Sequence, residues 1–414
     1  MPSAGTGATL VACLFFAGFG CLIPFLPLWL ERAQGFTGSQ IGLVLALGGF
    51  SRIIAGPLTA AWADGQPDRR APLFLFATVL ILGFAALWFL TGFVAVFMTI
   101  LVMDVAFWGL VPVVEAMLLR HTRTGRPRYG LARGLASLAF VMGSSSVGGL
   151  IGNFGPWAVW SWLLGVSGVL FLVALWIPAD PVPSARQAPF AARLLAGLGL
   201  LKDRRFALLI FALGLIQSTH SYFYVAGTLV WTNEQHLSTT LAGNLWSIGV
   251  VAEVGFLVFL ARWAERFPAE SLIIFGAACA FVRWTAMAAL PPVWALFPLQ
   301  ALHAGSFAAT FLGGMRMIQT LHGDSRTPTA QMIYMALASA PAQAATTLVS
   351  GALYEHLAPS GYAAQGYLSM SAVAVAGLVL AVMLWRRRPP SGSVPAPAFR
   401  AQPQSGGNAP GALA

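Results

Sequence analysis

Seven ionisable side chains lie inside long apolar stretches of this sequence, where an uncompensated charge is costly. They are Arg52, Asp104, Glu115, His220, Glu253, Arg283 and His303. Carboxylates and imidazoles can exchange protons, and a guanidinium stays charged and binds carboxylates. The residue types therefore indicate proton exchange and anion binding at a place shielded from water.

The stretches that hold these residues have the composition of membrane spans. Of 414 residues, 58% are hydrophobic and 9% are charged, and the mean hydropathy is +0.77. About 20 apolar residues cross the roughly 30 Å of hydrocarbon in a bilayer. We therefore predict an all-α integral membrane protein. Its twelve transmembrane helices are expected near 8–31, 39–63, 71–91, 94–119, 131–152, 156–178, 205–232, 239–263, 268–290, 293–318, 327–353 and 361–385.

The net charge of +10 follows the predicted topology. If both termini are cytoplasmic, Arg32 is the only one of the 23 Lys and Arg residues on the outer side, and Arg52 and Arg283 lie within helices. This is the positive-inside bias of membrane proteins. It argues against nucleic acid as a partner and predicts a multi-pass protein of the cell inner membrane, in contact with lipid.

A polar segment divides the helices into two sets of six. We expect an N-terminal bundle over 1–178, a cytoplasmic linker over 179–204, a C-terminal bundle over 205–386 and a disordered cytoplasmic tail over 387–414. A shift of 201 residues sets Trp62-Ala63-Asp64 on Trp263-Ala264-Glu265, and Arg52 on Glu253. Related halves with a site between them at the midplane are a transporter architecture.

The second half holds the candidates for proton coupling. Because helix direction alternates, Glu253, Arg283 and His303 fall within roughly 10 Å of one another along the membrane normal. We expect Glu253 to lie between Arg283 and His303 and to bind and release a proton, with His303 or His220 sharing that role. The alternative is a static pair of Glu253 and Arg283 that fixes helix packing.

The first half holds candidates for substrate binding and gating. Arg52 and Asp104 either form a permanent pair or are separated by a substrate carboxylate that binds Arg52. Glu115 lies nearer the cytoplasmic end, close to Arg133, and we expect gating or structural pairing there. Aromatic side chains beside the charged positions are candidates to pack on a ring-shaped substrate: Trp108, Tyr222, Tyr224, Trp246 and Trp284.

Several strings resemble the 3-phenylpropionate transporter group of the major facilitator superfamily. They are Leu245-Trp246-Ser247-Ile248-Gly249-Val250-Val251-Ala252-Glu253, Val282-Arg283-Trp284, Leu302-His303-Ala304-Gly305-Ser306-Phe307, Pro24-Phe25-Leu26-Pro27-Leu28-Trp29, Arg52, Pro112-Val113-Val114-Glu115-Ala116, and Tyr129-Gly130 with Arg133. The Gly56…Asp64…Arg69-Arg70 stretch is similar to the superfamily's loop between helices two and three, which makes Asp64 a gating or structural candidate.

The resemblance implies two pseudo-symmetric six-helix bundles, alternating access and proton-coupled uptake. The 3-phenylpropionate transporter group is also similar to lactose permease, in which a Glu, an Arg and a His on helices eight, nine and ten couple the proton. In this sequence Glu253, Arg283 and His303 occupy the matching helices. Ser306 stands where the permease has a further glutamate.

We therefore predict a monomeric proton symporter that imports a small organic acid such as phenylpropionate, with Arg52 or Arg283 as carboxylate anchor and no cofactor or metal. A nucleoside or sugar symporter and a drug or metabolite exporter are the alternatives within the superfamily. A membrane-embedded enzyme would need a nucleophile or metal constellation, and a non-transporting sensor would need a soluble output domain. The sequence offers no such pattern, and we predict that the protein is not an enzyme.

Overall fold

The computed structural model describes residues 3–122, 127–181, 195 and 197–388, without the side chains at 51–55, 57, 60, 64, 324 and 325. The first half of this chain forms six helices, as expected for apolar segments whose backbone groups must be satisfied without water. They are α1 (Ala4–Arg32), α2 (Gly38–Asp64), α3 (Arg70–Ala86), α4 (Phe93–Thr122), α5 (Tyr129–Phe154) and α6 (Ala158–Trp176).

The second half forms six more helices, each close to its predicted position. They are α7 (Arg204–Glu234), α8 (Thr239–Ala264), α9 (Ala269–Ala288), α10 (Val293–Gly323), α11 (Arg326–Ser360) and α12 (Ala363–Arg386). Among the described residues, ten helices are long and apolar enough to span a membrane, and the all-α membrane fold is confirmed. For α2, apolar over Gly38–Phe50, and the 17-residue α3, a full span stays a prediction.

Because successive helices alternate in direction, the loops between them lie on two opposite sides of the bundle, and we name each side by the residues it carries. The first-loop side carries the turn between α1 and α2, residues 33–37. There Thr37 and Gln40 form a reciprocal capping box that starts α2. The termini side carries the start of α1 and the end of α12.

On the first-loop side the two halves are in direct contact. Helices α2 and α11 pack at glycines: a Cβ on Gly42 would lie 2.9 Å from the Cα of Gly351. Helices α5 and α8 meet where Thr239 donates to the Gly148 carbonyl at 2.6 Å. Small residues permit this close backbone approach between membrane helices. The first-loop side of the protein is therefore closed.

On the termini side a buried carboxylate joins three segments of the first half. Asp180, 1% exposed, forms a salt bridge with Arg120 at 2.9 Å, accepts from Arg69 at 3.5 Å and contacts His121 at 3.1 Å. Its backbone amide donates to Asp68. The predicted linker therefore begins with a residue packed firmly on α3 and α4; the expected linker residues 182–194 and the tail from 389 lie outside the described residues.

Asp68 is part of the same contact on the loop between α2 and α3. Burial raises the pKa of its carboxyl group, but hydrogen bonds from the Arg70 and Asp180 amides and from the Arg70 side chain lower it more. The net pKa of Asp68 is lower than its ordinary value. Charged Asp68 thus stabilises the junction of the loop with Asp180.

Candidate functional site

Helices α8, α9 and α10 bring three of the predicted proton-coupling side chains together. Glu253 Oε2 lies 3.7 Å from His303 Nε2, and Arg283 Nη1 lies 3.3 Å from His303 Nδ1. The expected order was wrong: His303, not Glu253, is the middle member. No salt bridge joins Glu253 directly to Arg283 among the described residues.

A local change of helix geometry lies beside both Glu253 and His303. A π-helical segment, Phe256–Leu260, begins three residues after Glu253, and another, Ala304–Ala309, follows His303 directly. Such wide turns interrupt an α-helix and are frequent at functional sites. Both wide turns thus lie directly beside the contact between Glu253 and His303.

Arg283 is enclosed on every side. Its side chain is 1% exposed, and its guanidinium lies 4.3 Å from the ring centre of Trp284 and 4.9 Å from that of Phe223. Its Nη2 donates to Gln300 Oε1 at 2.5 Å. A cation that lies against two neighbouring aromatic rings and donates to a buried amide is stabilised without a carboxylate partner.

His220 lies next to this group and is fully buried. Its ring centre is 5.1 Å from that of His303. Its Nδ1 lies 3.1 Å from the Gln217 carbonyl oxygen, and its Nε2 lies 3.2 Å from Ser306 Oγ. Both nitrogens of His220 therefore have partners inside the second half.

Arg133 lies in the other half of the protein, on α5, which packs against α8, the helix that carries Glu253. It is close enough for its charge to act on the Glu253 carboxylate. Its guanidinium lies 4.3 Å from the ring centre of Phe16, and its buried Nη1 has no hydrogen-bond partner among the described residues. The charges of both Arg133 and Glu115 act on the hydroxyl of Tyr129. Arg133 thus offers a free donor where the two halves meet.

The central site is partly accessible although the first-loop side is closed. The Glu253 side chain is 27% exposed and that of His303 is 15% exposed. Phe16, Trp108 and Arg133 are half-buried, in contrast to Arg283. The accessible groups are thus a carboxylate, an imidazole, a guanidinium and aromatic rings.

Most of the predicted substrate-binding aromatics lie in helix packing. Tyr222 and Trp284 are fully buried, and the Tyr222 hydroxyl donates to the Ala363 carbonyl at 2.5 Å. Trp246 is 7% exposed, and its indole N–H donates to Thr228 at 3.0 Å. Trp108 lies half-buried with its ring centre 5.8 Å from that of Phe19.

The predicted first-half pair is described only in part. The Asp104 carboxylate contacts the backbone of Gly48, where a Cβ would collide with it. The side chains of Arg52 and Asp64 lie outside the described residues, so their predicted roles stay predictions.

A search for buried charges missed three neutral residues of the site, Gln300, Ser306 and Thr228. Gln300 lies one helical turn before His303, a spacing that could have revealed it.

Comparison with known proteins identifies relatives in sequence and in fold. The model of the MFS_1 like family matches residues 9–362. The "Probable 3-phenylpropionic acid transporter" of Escherichia coli (strain K12) is 30% identical over 346 residues, covering 83% of this chain and 89% of the relative. Maltose permease of Geobacillus stearothermophilus is 27% identical, covering 92% and 94%. The crystal structure of the nucleoside transporter NupG superposes with a TM-score of 0.81 at 17% identity, covering 94% of this chain and 100% of that structure.

Proposed function

This chain belongs to the MFS_1 like family of the major facilitator superfamily, and from that premise we propose that it imports a small organic acid together with a proton. Its relatives are membrane transporters, so the prediction of a transporter and not an enzyme is confirmed. One observation carries the proposal. The accessible carboxylate of Glu253 contacts His303, and the positive charge of Arg133, in the other half, acts on it electrostatically.

In this proposal proton binding and substrate binding are coupled because the cation of Arg133 pairs in turn with the Glu253 carboxylate and with the carboxylate of the substrate. When Glu253 is charged, Arg133 compensates it across the contact between the halves. When Glu253 takes a proton, Arg133 is free to bind the carboxylate of a substrate, to which a guanidinium is geometrically suited. Proton and organic anion then occupy the site together, which is the charge balance that symport requires.

The anchor for the substrate carboxylate is Arg133 in this proposal. Arg283 is one of the two anchors expected from the sequence. It is fully enclosed by Trp284, Phe223 and Gln300 and is therefore not exposed to a substrate. Arg52, the other, remains a second candidate. The half-buried rings of Phe16 and Trp108 suit an aromatic acid such as 3-phenylpropionate.

Transport by alternating access fits a protein closed on one side. The first-loop side is closed through Gly42, Gly351 and Thr239, while Glu253 and His303 retain exposed surface. We assign the termini side to the cytoplasm from the positive-inside distribution of Lys and Arg. The structure is then the inward-facing state of a monomeric inner-membrane symporter whose partners are its substrate, protons and lipid.

A sugar or nucleoside symporter is the competing function. Maltose permease matches over most of the chain, and a nucleoside transporter shares the fold. Neither ligand class carries a carboxylate, so neither needs a free guanidinium such as that of Arg133. Maltose and uridine therefore serve as competitors in the test below, and export in place of import is tested by reversing the gradient.

The test is uptake of labelled 3-phenylpropionate into proteoliposomes. With a gradient of about one pH unit, worth about 1.4 kcal/mol per proton, proteoliposomes should approach roughly tenfold accumulation at a rate in excess of that in protein-free liposomes, which measure passive entry of the undissociated acid. Glu253→Gln should abolish this excess and retain exchange. The matched control is Glu265→Gln, an exposed carboxylate beyond the end of the same helix, which should behave as wild type. Accumulation that ignores the pH gradient contradicts the proposal.

A further inference from the structure

Gln300 is buried beside the site without facing the substrate. It is 1% exposed, its Oε1 accepts from Arg283 Nη2 at 2.5 Å, and its Nε2 donates to Met287 Sδ at 3.6 Å. Both ends of the amide are thus used inside the second half. The polar group of the site that Gln300 contacts is therefore Arg283.

The contact between Arg283 and His303 has only one possible polarity. A guanidinium donates hydrogen bonds and never accepts them. Because Arg283 Nη1 lies 3.3 Å from His303 Nδ1, that nitrogen must carry its lone pair. A neutral imidazole has one donor and one acceptor, so its proton resides on Nε2. That nitrogen is the one that faces Glu253 Oε2.

Gln300 determines where the guanidinium of Arg283 lies. The guanidinium carbon lies 4.3 Å from the ring centre of Trp284 and 4.9 Å from that of Phe223, and cation–π contacts of this kind provide no hydrogen bond that would fix the orientation of the guanidinium. Within the described residues its Nε has no hydrogen-bond partner. Besides His303, the acceptor that fixes it is Gln300, through a bond between two groups that are each 1% exposed.

We propose that Gln300 is a positioning residue that holds Arg283 against His303 and thereby fixes His303 as the neutral tautomer with its proton on Nε2. While this contact lasts, His303 cannot become an imidazolium, because Nδ1 would need a proton where Arg283 donates one. If the protein is a proton symporter, as proposed above, Glu253 is then the residue that carries the coupled proton.

The titratable and charged groups around this contact come from several helices. His220 of α7 faces His303 with ring centres 5.1 Å apart, and Arg283 of α9 and Glu253 of α8 contact it directly. Arg133 of α5 acts on Glu253 from the opposite half, and the hydroxyls of Tyr224 and Tyr367 act on Arg283. None of these groups replaces Gln300 as the neutral acceptor on Nη2.

The test measures the protonation state of the two ring nitrogens of His303 directly. Protein labelled with ¹⁵N-histidine is examined by solid-state NMR from about pH 7.5 to about pH 5.5, the range in which an ordinary imidazole titrates. The His303→Asn variant assigns the signals among the six histidines. We expect an Nδ1 signal typical of an unprotonated, hydrogen-bonded nitrogen throughout. A protonated Nδ1 in the wild type overturns the proposal.

Variants of Gln300 separate positioning from simple packing. Gln300→Met keeps the volume but removes the acceptor, so the Nδ1 hydrogen-bond shift should be lost and an imidazolium signal should appear at the acid end. Gln300→Glu keeps an acceptor and should restore the wild-type spectrum. The control Gln331→Met removes a similar amide, which donates to Met315 Sδ at 3.3 Å far from His303, and should change nothing. An unchanged Nδ1 signal in Gln300→Met overturns the proposal.

Transport supplies a second and independent measurement. The pH profile of substrate exchange should show one titrating group in the wild type and a second one in Gln300→Met, because His303 is released to titrate. If Gln300→Met does not yield folded protein, Gln300→Asn, which shortens the amide by one methylene, provides the same comparison. The NMR result does not depend on transport, so a failed symport assay would contradict the proposed function and leave the tautomer assignment standing.

Discussion

The Tyr354 hydroxyl donates to Glu31 Oε1 at 2.7 Å and joins α11 of the second half to α1 of the first. Asn233 of α7 reinforces this contact, since its amide donates to Glu31 Oε2 at 3.0 Å and accepts from Arg32 at 2.9 Å. Ser39 and Glu355 form a further bond between the halves at 2.8 Å. The closed first-loop side is thus held by polar bonds in addition to glycine packing.

Removing the Tyr354 hydroxyl should open this side more often. A hydrogen bond to a charged group contributes about 1.5–3 kcal/mol, so Tyr354→Phe should shift the equilibrium toward the open state by roughly tenfold or more. The distance between spin labels introduced by Gln34→Cys and His236→Cys should gain a longer population in pulsed electron spin resonance. The control is Tyr362→Phe, an exposed tyrosine on the same side. An unchanged distance distribution contradicts the role of the bond.

The sequence predicted the helices and the meeting of Glu253, Arg283 and His303, because hydropathy sets helix position and alternating direction sets depth. It could not predict the order of the three side chains, since hydropathy and helix direction give the depth of a side chain but not the rotation of each helix about its axis. Gln300 was missed because a neutral amide carries no signal in a search for buried charge.

Asp180 was missed for a different reason. It lies in a Pro-rich segment that reads as linker, and its burial depends on the meeting of Arg69 and Arg120, which are distant in sequence. The helix propensity of a segment contains no information on such a long-range contact. The helices beside or within which these arginines lie, α3 and α4, were predicted close to their observed positions. The elements were therefore predictable and their polar junctions were not.

Arg133 should determine affinity for the carboxylate of the substrate. Arg133→Gln removes a charge-assisted bond, and the Kd for 3-phenylpropionate should rise roughly 10- to 100-fold, measured by titration calorimetry at fixed pH. Arg133→Lys should recover part of the loss, because it keeps the charge without the planar fork. The amide of the same acid distinguishes anchoring from misfolding, since its weaker binding should not change. Arg128→Gln, an exposed arginine five residues earlier in the sequence, is the matched control.

Asp180 should contribute strongly to the stability of the first half. In Asp180→Asn the cations of Arg69 and Arg120 lose a carboxylate whose side chain is 2% exposed. Because Arg120 itself is 39% exposed, we expect a cost of about 1–3 kcal/mol and not the full cost of a buried pair. Thermal unfolding of purified protein should show a Tm lower by several degrees. A Tm equal to that of the surface variant Glu265→Gln would contradict this role.

Asp68 should make the same junction sensitive to acid. Its folded-state pKa is lower than the ordinary value of about 3.9, so its stabilising contribution is complete above that value and is lost as the pH falls through the folded-state pKa. Asp68→Asn should therefore lower the Tm at neutral pH, and the difference from wild type should be smaller at a pH below about 3.9. Glu265→Gln should show no such convergence, and a Tm difference for Asp68→Asn that is the same at both pH values would show that charge is not the cause.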